Sequence, residues 1–359
     1  MKQQQQSGRL WGLDLLKFLC AIVILNWHIW QPEAMQFLFT EKIVCTFLVC
    51  SGYVWCLSLD RRQAGLKGYY QKVMWRHLGQ ILLPYTALFL AEVFYHSFWI
   101  TWTKDAWLWL DPYTRGDAQG YFRVSEMLAR FWQGGLGPGG YYMGFLIQLV
   151  VLFGILHQVA KKAPKAFGLT VLALVGIGCV WRLPIWNGYQ WIVSNALHIR
   201  PLEQQHILIV LLGIALYYNR SRLPVWGFLP VLVVAVAVNQ IAPDVADLFW
   251  AWGAFWCALE CSRLSVPAGA AALVGHLGRA SYFIYLMQKA YCATALPRWL
   301  ALKWNLYGGW NVLFCLLLGV AFYGVYTALG RLAGTLWKYA RIRQTDHQKE
   351  NNRVKAAAW

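Results

Sequence analysis

Charged side chains are scarce in this sequence, where Asp, Glu, Lys and Arg make up 13% of the 359 residues. Soluble domains carry about 25% charged residues, so the composition excludes an ordinary soluble domain. Hydrophobic residues reach 59%. Several apolar runs approach or exceed the roughly 18 residues that indicate a membrane-spanning helix. The sequence therefore predicts an all-α polytopic membrane protein.

Acidic residues are the scarcer of the two charged classes, with 15 Asp and Glu against 32 Lys and Arg, which gives a net charge of +17. In a soluble protein such an excess would indicate a nucleic-acid partner. In a membrane protein the excess of lysine and arginine in cytoplasmic loops accounts for it. We therefore expect contacts with membrane lipids and no nucleic-acid partner.

The sequence also lacks the signatures of a metal site and of a cleaved signal peptide. None of its nine cysteines shows metal-ligand spacing with histidine, so we expect no metal site, no bound cofactor and buried, unreactive thiols. No small-residue cleavage site follows the first apolar run, which is therefore expected to remain as an uncleaved first helix.

About ten transmembrane helices are predicted from the apolar runs. Their ranges are 12–30, 38–58, 81–99, 140–158, 167–183, 205–218, 225–240, 247–261, 276–296 and 310–330. Most lysines and arginines then fall on the side of the N-terminus, so both termini are predicted to be cytoplasmic. We expect one membrane domain over residues 1–343 and a polar, disordered cytoplasmic tail over residues 344–359.

The first predicted helix carries three ionisable side chains, Asp14, Lys17 and His28. Lys17 and His28 are about three helical turns apart, which places them on one face and separates them by about 16 Å along the axis. Asp14 precedes Lys17 by three residues and can pair with it. Such residues usually face a bundle interior or a wet cavity. The alternative is that Asp14 and Lys17 anchor the helix at the inner interface and that His28 is an interfacial histidine.

Four short motifs follow one another in a characteristic order. They are Lys17 and His28 with ten residues between them, FLVCSGYVW at 47–55, YYQKVMWRHLGQILLPY at 69–85, and HLGRASYFIYLMQ at 276–288. In these motifs the chain resembles the integral-membrane acyltransferase 3 family. It departs from many relatives at GGYYMGFL, 139–146, and at Gln288, where they carry histidines. The roles of those two places are left open.

The resemblance implies an O-acyltransferase of the bacterial inner membrane. The donor would be a cytoplasmic acyl-CoA, most simply acetyl-CoA. The acceptor would be a hydroxyl of a carbohydrate on the outer face, and polysaccharide-synthesis machinery would be a partner. His28 is the candidate general base, because histidine titrates near neutral pH. Lys17 would act on the donor side, and Asp14 would assist it or hold it in place.

The donor is rich in phosphate, and the predicted cytoplasmic side offers a basic cluster of Arg61, Arg62, Lys72 and Arg76. Arginine and lysine suit phosphate binding, although topology alone also explains cations there. Aromatic residues crowd the predicted outer loop 100–139 and its surroundings. They suit either an interfacial belt or a platform for sugar rings. The residues proposed for the acceptor side or cavity are Tyr53, Tyr142, Tyr282, Tyr285 and Trp132.

Two other functions compete with acyl transfer. A transporter or flippase of a lipid-linked sugar would share the helices and the intramembrane charges, but such proteins often show inverted repeats, and none is visible in this sequence. A non-catalytic sensor or assembly subunit would tolerate the loss of Lys17 and His28. Ser51 lies next to Gly52 but lacks a nucleophile elbow, so this glycine is expected to serve close helix packing.

Overall fold

The structure is a computed structural model in which most of the chain is described. The described residues are 10–29, 42–63, 65–94, 128, 131, 132, 134, 141–180, 184–196, 204–220, 224–292, 300, 303–305 and 307–357. Within these ranges every regular element is a helix and no strand occurs. The predicted all-α class is therefore confirmed.

The helices are labelled α1 to α11 in chain order. The first six are α1 (Trp11–Ile29), α2 (Lys42–Arg62), α3 (Met74–Phe94), α4 (Tyr141–Lys162), α5 (Pro164–Val180) and α6 (Pro184–Ala196). The remaining five are α7 (Gln204–Asn219), α8 (Phe228–Asn239), α9 (Pro243–Cys261), α10 (Ala268–Cys292) and α11 (Gly309–Ala357). A single helical turn, Leu66–Gly68, and a π-helical segment, Tyr69–Val73, lead into α3.

Each predicted span overlaps one of these helices, while α6 is an addition that the sequence did not predict. By length and composition, Trp11–Ile29, Lys42–Arg62, Tyr142–Lys162 and Gly309–Thr335 are long and apolar enough to cross a membrane. The count of ten spans and the cytoplasmic termini stay predictions. The last helix continues to Ala357, through much of the tail expected to be disordered. The division of the chain at residue 343 stays a prediction.

Two groups of helices build the interior. In the first, α2 packs against α7 and α9, and α7 also contacts α5. In the second, α10 lies between α1 and α11. Fully buried apolar side chains, including Leu48, Phe153, Ile209 and Phe255, fill the first group. The candidate site described below lies where the two groups meet.

Glycines let the backbones of α2 and α7 touch. A Cβ atom added at Gly52 would overlap the carbonyl oxygen of Val210, and one added at Gly213 would overlap that of Val49. Small residues are what allow helices in membranes to approach this closely. Ser51 donates its hydroxyl to the Phe47 carbonyl oxygen at 2.9 Å. The close helix packing expected at Gly52 is therefore confirmed.

We expect Gly52→Ala to destabilise the protein by about 1–3 kcal/mol, because the new methyl group overpacks a backbone contact. Gly79→Ala in α3 is the matched control, since a Cβ atom there meets no described atom within 4 Å. Alanine exceeds glycine in helix propensity by about 1 kcal/mol, so the control should be neutral or stabilising. Thermal denaturation of both variants in detergent checks this, and equal shifts would contradict the close contact.

Two buried ion pairs cross between helices. Lys42 of α2 lies 3.0 Å from Asp247 of α9, and Lys289 of α10 lies 3.5 Å from Glu92 of α3. All four side chains are buried. Charges in an apolar bundle are costly unless they are paired, so each pair fixes which helices can lie side by side.

Candidate active site

A cavity lies between four helices and is open on one side. It encloses about 600 Å³, a volume that includes its open mouth. Its wall consists of Ala21, Ile24, His28, Val44, Phe47, Tyr142, Ser281, Tyr282 and Tyr285. Helices α1, α2, α4 and α10 each contribute side chains, so the site exists only in the assembled bundle.

The α1 residues of this wall continue the face on which Lys17 lies. Ala21, Ile24 and His28 follow Lys17 at helical spacings of four, three and four residues. Residues so spaced lie above one another on one side of a helix. The predicted stripe from Lys17 to His28 is therefore a continuous surface, and its far end lines the cavity.

His28 is the one imidazole in the described wall of the cavity. Within the described residues it has no hydrogen-bond or ion-pair partner. A general base must place a ring nitrogen within hydrogen-bonding distance of the proton that it removes. Because no described group occupies the nitrogens of His28, they are available to a molecule in the cavity.

Aromatic rings from α2, α4 and α10 form much of the remaining wall. The ring of Tyr142 meets Phe47 edge-on at 6.0 Å and Tyr285 edge-on at 5.2 Å, while Tyr282 and Tyr285 stack at 6.4 Å. Tyr282 also donates its hydroxyl to the Ile81 carbonyl oxygen at 2.7 Å. Such mutual contacts fix the rings and leave an apolar surface with a few polar atoms, which is typical of small-molecule sites.

Asp14 and Lys17 form an ion pair at the other end of the stripe. Their charged atoms lie 3.0 Å apart, and Asp14 is buried. A Cβ atom added at Gly278 would lie 2.6 Å from the Asp14 Cβ atom, so this glycine brings α10 directly onto the pair. The pair thus lies against a neighbouring helix, which disfavours a role as an interfacial anchor.

Comparison with known proteins identifies the family. A model of the family described as an acyltransferase domain, acyltransferase 3, matches residues 10–330, nearly the whole chain. The chain belongs to the acyltransferase 3 family. No curated protein and no solved structure matches it. Together with its apolar helices, this family match makes the protein a membrane acyltransferase.

The acyltransferase exposes the four cations that were predicted to bind the donor. Arg61, Arg62, Lys72 and Arg76 are all exposed. Both Arg62 and Arg76 interact electrostatically with His77, just outside the predicted span 81–99. Burial, followed by these two arginines, lowers the pKa of His77 to about 4. Both guanidinium groups therefore disfavour the charged form of His77, while the donor role of the four cations stays a prediction.

A π-helical segment holds this cationic region against α4. Tyr69 donates its hydroxyl to the Val150 carbonyl oxygen, and Tyr70 donates to that of Val151 at 2.9 Å. Burial, and then the neighbouring Tyr70, raises the pKa of the Tyr69 phenol, which remains a donor. π-helical turns are often found at functional sites, and this one contains the exposed Lys72.

Two of the predicted acceptor-side residues lie outside the cavity wall. Tyr53 is buried deeper along α2, where its ring meets Tyr217 at 5.2 Å and Phe255 at 5.1 Å. Trp132 is 40% exposed and contacts the ring of Phe131. Most of the aromatic loop 100–139, including the surroundings of Trp132, lies outside the described residues. Tyr142, Tyr282 and Tyr285 are the members of that prediction that line the cavity.

Sequence reasoning missed a polar cluster around Asp60, at the predicted inner end of α2. The Asp60 carboxylate accepts hydrogen bonds from Tyr217 at 2.9 Å and Lys161 at 3.2 Å, and it lies 3.3 Å from the buried His157. The Arg220 guanidinium lies 4.6 Å from the centre of the Tyr217 ring. The cluster joins α2, α4 and α7. Asp60 follows the predicted span 38–58 and directly precedes Arg61 and Arg62, so no local pattern distinguished it from an ordinary charge at the membrane interface.

Proposed function

We propose that this protein is an O-acyltransferase that moves an acyl group, most simply acetyl, from cytoplasmic acyl-CoA to a hydroxyl of a cell-surface or exported carbohydrate. The observation that carries the proposal is the position of His28 in a cavity at one end of the face that begins with Lys17. Its setting would be the bacterial inner membrane, beside the machinery that makes the polysaccharide.

The reaction needs one proton acceptor. The carbohydrate oxygen attacks the thioester carbonyl carbon, and the imidazole of His28 takes the hydroxyl proton. The carbon–sulfur bond breaks, an ester forms, and the coenzyme A thiolate leaves and is protonated. A positioned base contributes about 10²- to 10⁴-fold to such a step. Hydrogen-bond donors around the cavity, such as Tyr142 and Tyr285, would stabilise the developing oxyanion.

The two ends of the stripe suit two different substrates. His28 and Lys17 are about 16 Å apart along the helix axis, which is too far for both to act on one carbonyl group. The donor would enter near Lys17 and be held through its phosphates by Arg62 and Arg76, because guanidinium groups bind phosphate strongly. The acceptor would meet the thioester at the end of the cavity that carries His28.

Labelled acetyl-CoA tests the proposal directly. Purified protein in detergent is incubated with acetyl-CoA labelled in the acetyl group and with envelope carbohydrate from producing cells, deacylated by mild alkali. We expect the label to become ester-linked to the carbohydrate, as mass spectrometry would show. A transporter or flippase would neither consume the thioester nor modify the carbohydrate, so an unlabelled product together with intact acetyl-CoA would overturn the proposal.

A further inference from the structure

Gln288 of α10 is a buried amide that has no hydrogen-bond partner among the residues that the structure describes. Its side chain has no exposed surface, and neither Oε1 nor Nε2 has a hydrogen-bond partner within the described part of the chain. Most buried polar atoms in proteins are hydrogen-bonded, because an unpaired one destabilises the fold. An amide with both atoms unpaired therefore calls for a further partner.

Helix geometry places Gln288 next to the cavity. It follows Ser281 by seven residues and Tyr285 by three, and residues with these spacings share one helix face. Both of those side chains line the cavity. Gly278 lies against Asp14. Gln288 is ten residues beyond Gly278 and Ile24 is ten residues beyond Asp14, so these two residues stand at about the same level. Ile24 also lines the cavity. Gln288 is not itself part of the described cavity wall, but it stands one turn beyond Tyr285, towards the end of the cavity that carries His28.

The neighbouring residue fixes this part of α10. Lys289 is 1% exposed, its ammonium group lies 3.5 Å from Glu92, and it sits 5.7 Å from the centre of the Tyr85 ring. These contacts tie α10 to α3 at the level of Gln288. A binding group on a helix held in this way is oriented before its ligand arrives, which reduces the entropy lost on binding.

The chemistry of the amide selects the kind of ligand. Its carbonyl oxygen accepts hydrogen bonds and its nitrogen donates them, so the matching ligand offers both functions within a short distance. Adjacent hydroxyl groups of a carbohydrate do so. A thioester carbonyl only accepts, and a lipid chain does neither. The amides in the pantetheine arm of acyl-CoA offer both functions as well, so position decides between the two substrates. The donor is proposed to enter near Lys17, whereas Gln288 stands towards the end of the cavity that carries His28, where the acceptor is proposed to bind.

We propose that Gln288 binds the acceptor carbohydrate through hydroxyl groups next to the one that is acylated, and so positions that hydroxyl near His28. This inference rests on the proposed function and deepens it by adding a residue that recognises the acceptor. The Gln288 carbonyl oxygen accepts a hydrogen bond from one sugar hydroxyl, and its amide nitrogen donates a hydrogen bond to the oxygen of a neighbouring hydroxyl.

The variant Gln288→Leu tests the proposal, because leucine keeps much of the volume and removes both polar atoms. Transfer is measured with labelled acetyl-CoA and a concentration series of deacylated envelope carbohydrate. We expect the KM for the carbohydrate to rise about tenfold to a hundredfold, as the loss of one or two substrate hydrogen bonds implies. The thermal stability of the variant should equal or exceed that of the unmodified protein, because an unpaired group is removed.

Gln148→Leu in α4 is the matched control. The Gln148 amide is partnered, since its Nε2 donates to the Gly144 carbonyl oxygen at 3.0 Å and its Oε1 accepts from the Tyr189 hydroxyl. Removing it should lower the melting temperature, in contrast to Gln288→Leu. The comparison distinguishes an amide that stabilises the fold from an amide that binds a ligand.

The outcomes distinguish the two levels of the proposal. If the unmodified protein transfers no label, the proposed function fails, and the role of Gln288 fails with it. If the unmodified protein is active and Gln288→Leu keeps its KM for the carbohydrate, the role of Gln288 alone is overturned. A fall in melting temperature with a parallel fall in kcat would also overturn it, because that pattern identifies a structural amide.

Discussion

Replacing His28 with alanine should lower the rate of acyl transfer by about 10²- to 10⁴-fold, the contribution of a positioned general base. The cavity wall would lose its one described imidazole, while the aromatic contacts among Phe47, Tyr142 and Tyr285 would remain. We therefore expect the variant to fold and to reach the membrane. Ester-linked acetate on envelope carbohydrate, measured in cells with equal amounts of each protein, checks the prediction.

A second histidine variant serves as the control. His276 lies on the same helix as the cavity residues but does not line the cavity, and it contacts Tyr323 and Arg279 instead. His276→Gln should leave acylation close to the level of the unmodified protein. If cells that carry His28→Ala contain as much ester-linked acetate as cells that carry the unmodified protein, His28 is not the base. An equal loss of acetate in His28→Ala and His276→Gln would indicate a general effect on folding.

Breaking the pair of Asp14 and Lys17 should have the second large effect. Their charged atoms are 3.0 Å apart, with 10% and 17% of the side chains exposed. Removing one member of a buried pair costs about 3–5 kcal/mol, and the lower end applies to a pair that is still partly exposed. We expect Asp14→Leu and Lys17→Met each to reduce both the amount of folded protein and acyl transfer. Protein level and melting temperature in detergent measure the first effect.

The double variant Asp14→Leu/Lys17→Met separates structure from function. Replacing both members by apolar groups is often neutral or stabilising, so the double variant should regain the stability that each single variant loses. If Lys17 handles the donor, acyl transfer stays low in the folded double variant. Recovery of both stability and transfer would show that the pair only holds α1 against α10, and the donor role of Lys17 would be withdrawn.

Much of the fold could be predicted from local pattern. The apolar runs located the helices, because a segment surrounded by lipid must satisfy its backbone hydrogen bonds internally, as a helix does. The limits were less well predicted where helices extend beyond the apolar run. The third span was expected at 81–99, but α3 begins at Met74, after a π-helical segment. The amphiphilic helix Pro184–Ala196 was missed because its mixed composition resembles a loop.

The candidate site was predicted in part. The stripe from Lys17 to His28 follows from helical periodicity alone, and the structure shows Ala21 and Ile24 of the same face lining the cavity. The acceptor-side prediction mixed residues that line the cavity, such as Tyr285, with the distant Tyr53. The local sequence does not show whether an aromatic side chain lines a cavity or packs against another helix. Only the neighbouring helices decide which of these it forms.

The sequence by itself determined that this chain is a helical membrane protein of the acyltransferase 3 family and that Lys17 and His28 share one face of α1. These properties depend on composition, on motifs and on a period of 3.6 residues, all of which are local. The tertiary structure alone decided that α1, α2, α4 and α10 enclose a cavity at His28. It also decided that Asp60 joins three helices and that the buried Gln288 amide has no partner among the described residues. Those facts depend on contacts between residues far apart in sequence, which no local pattern specifies.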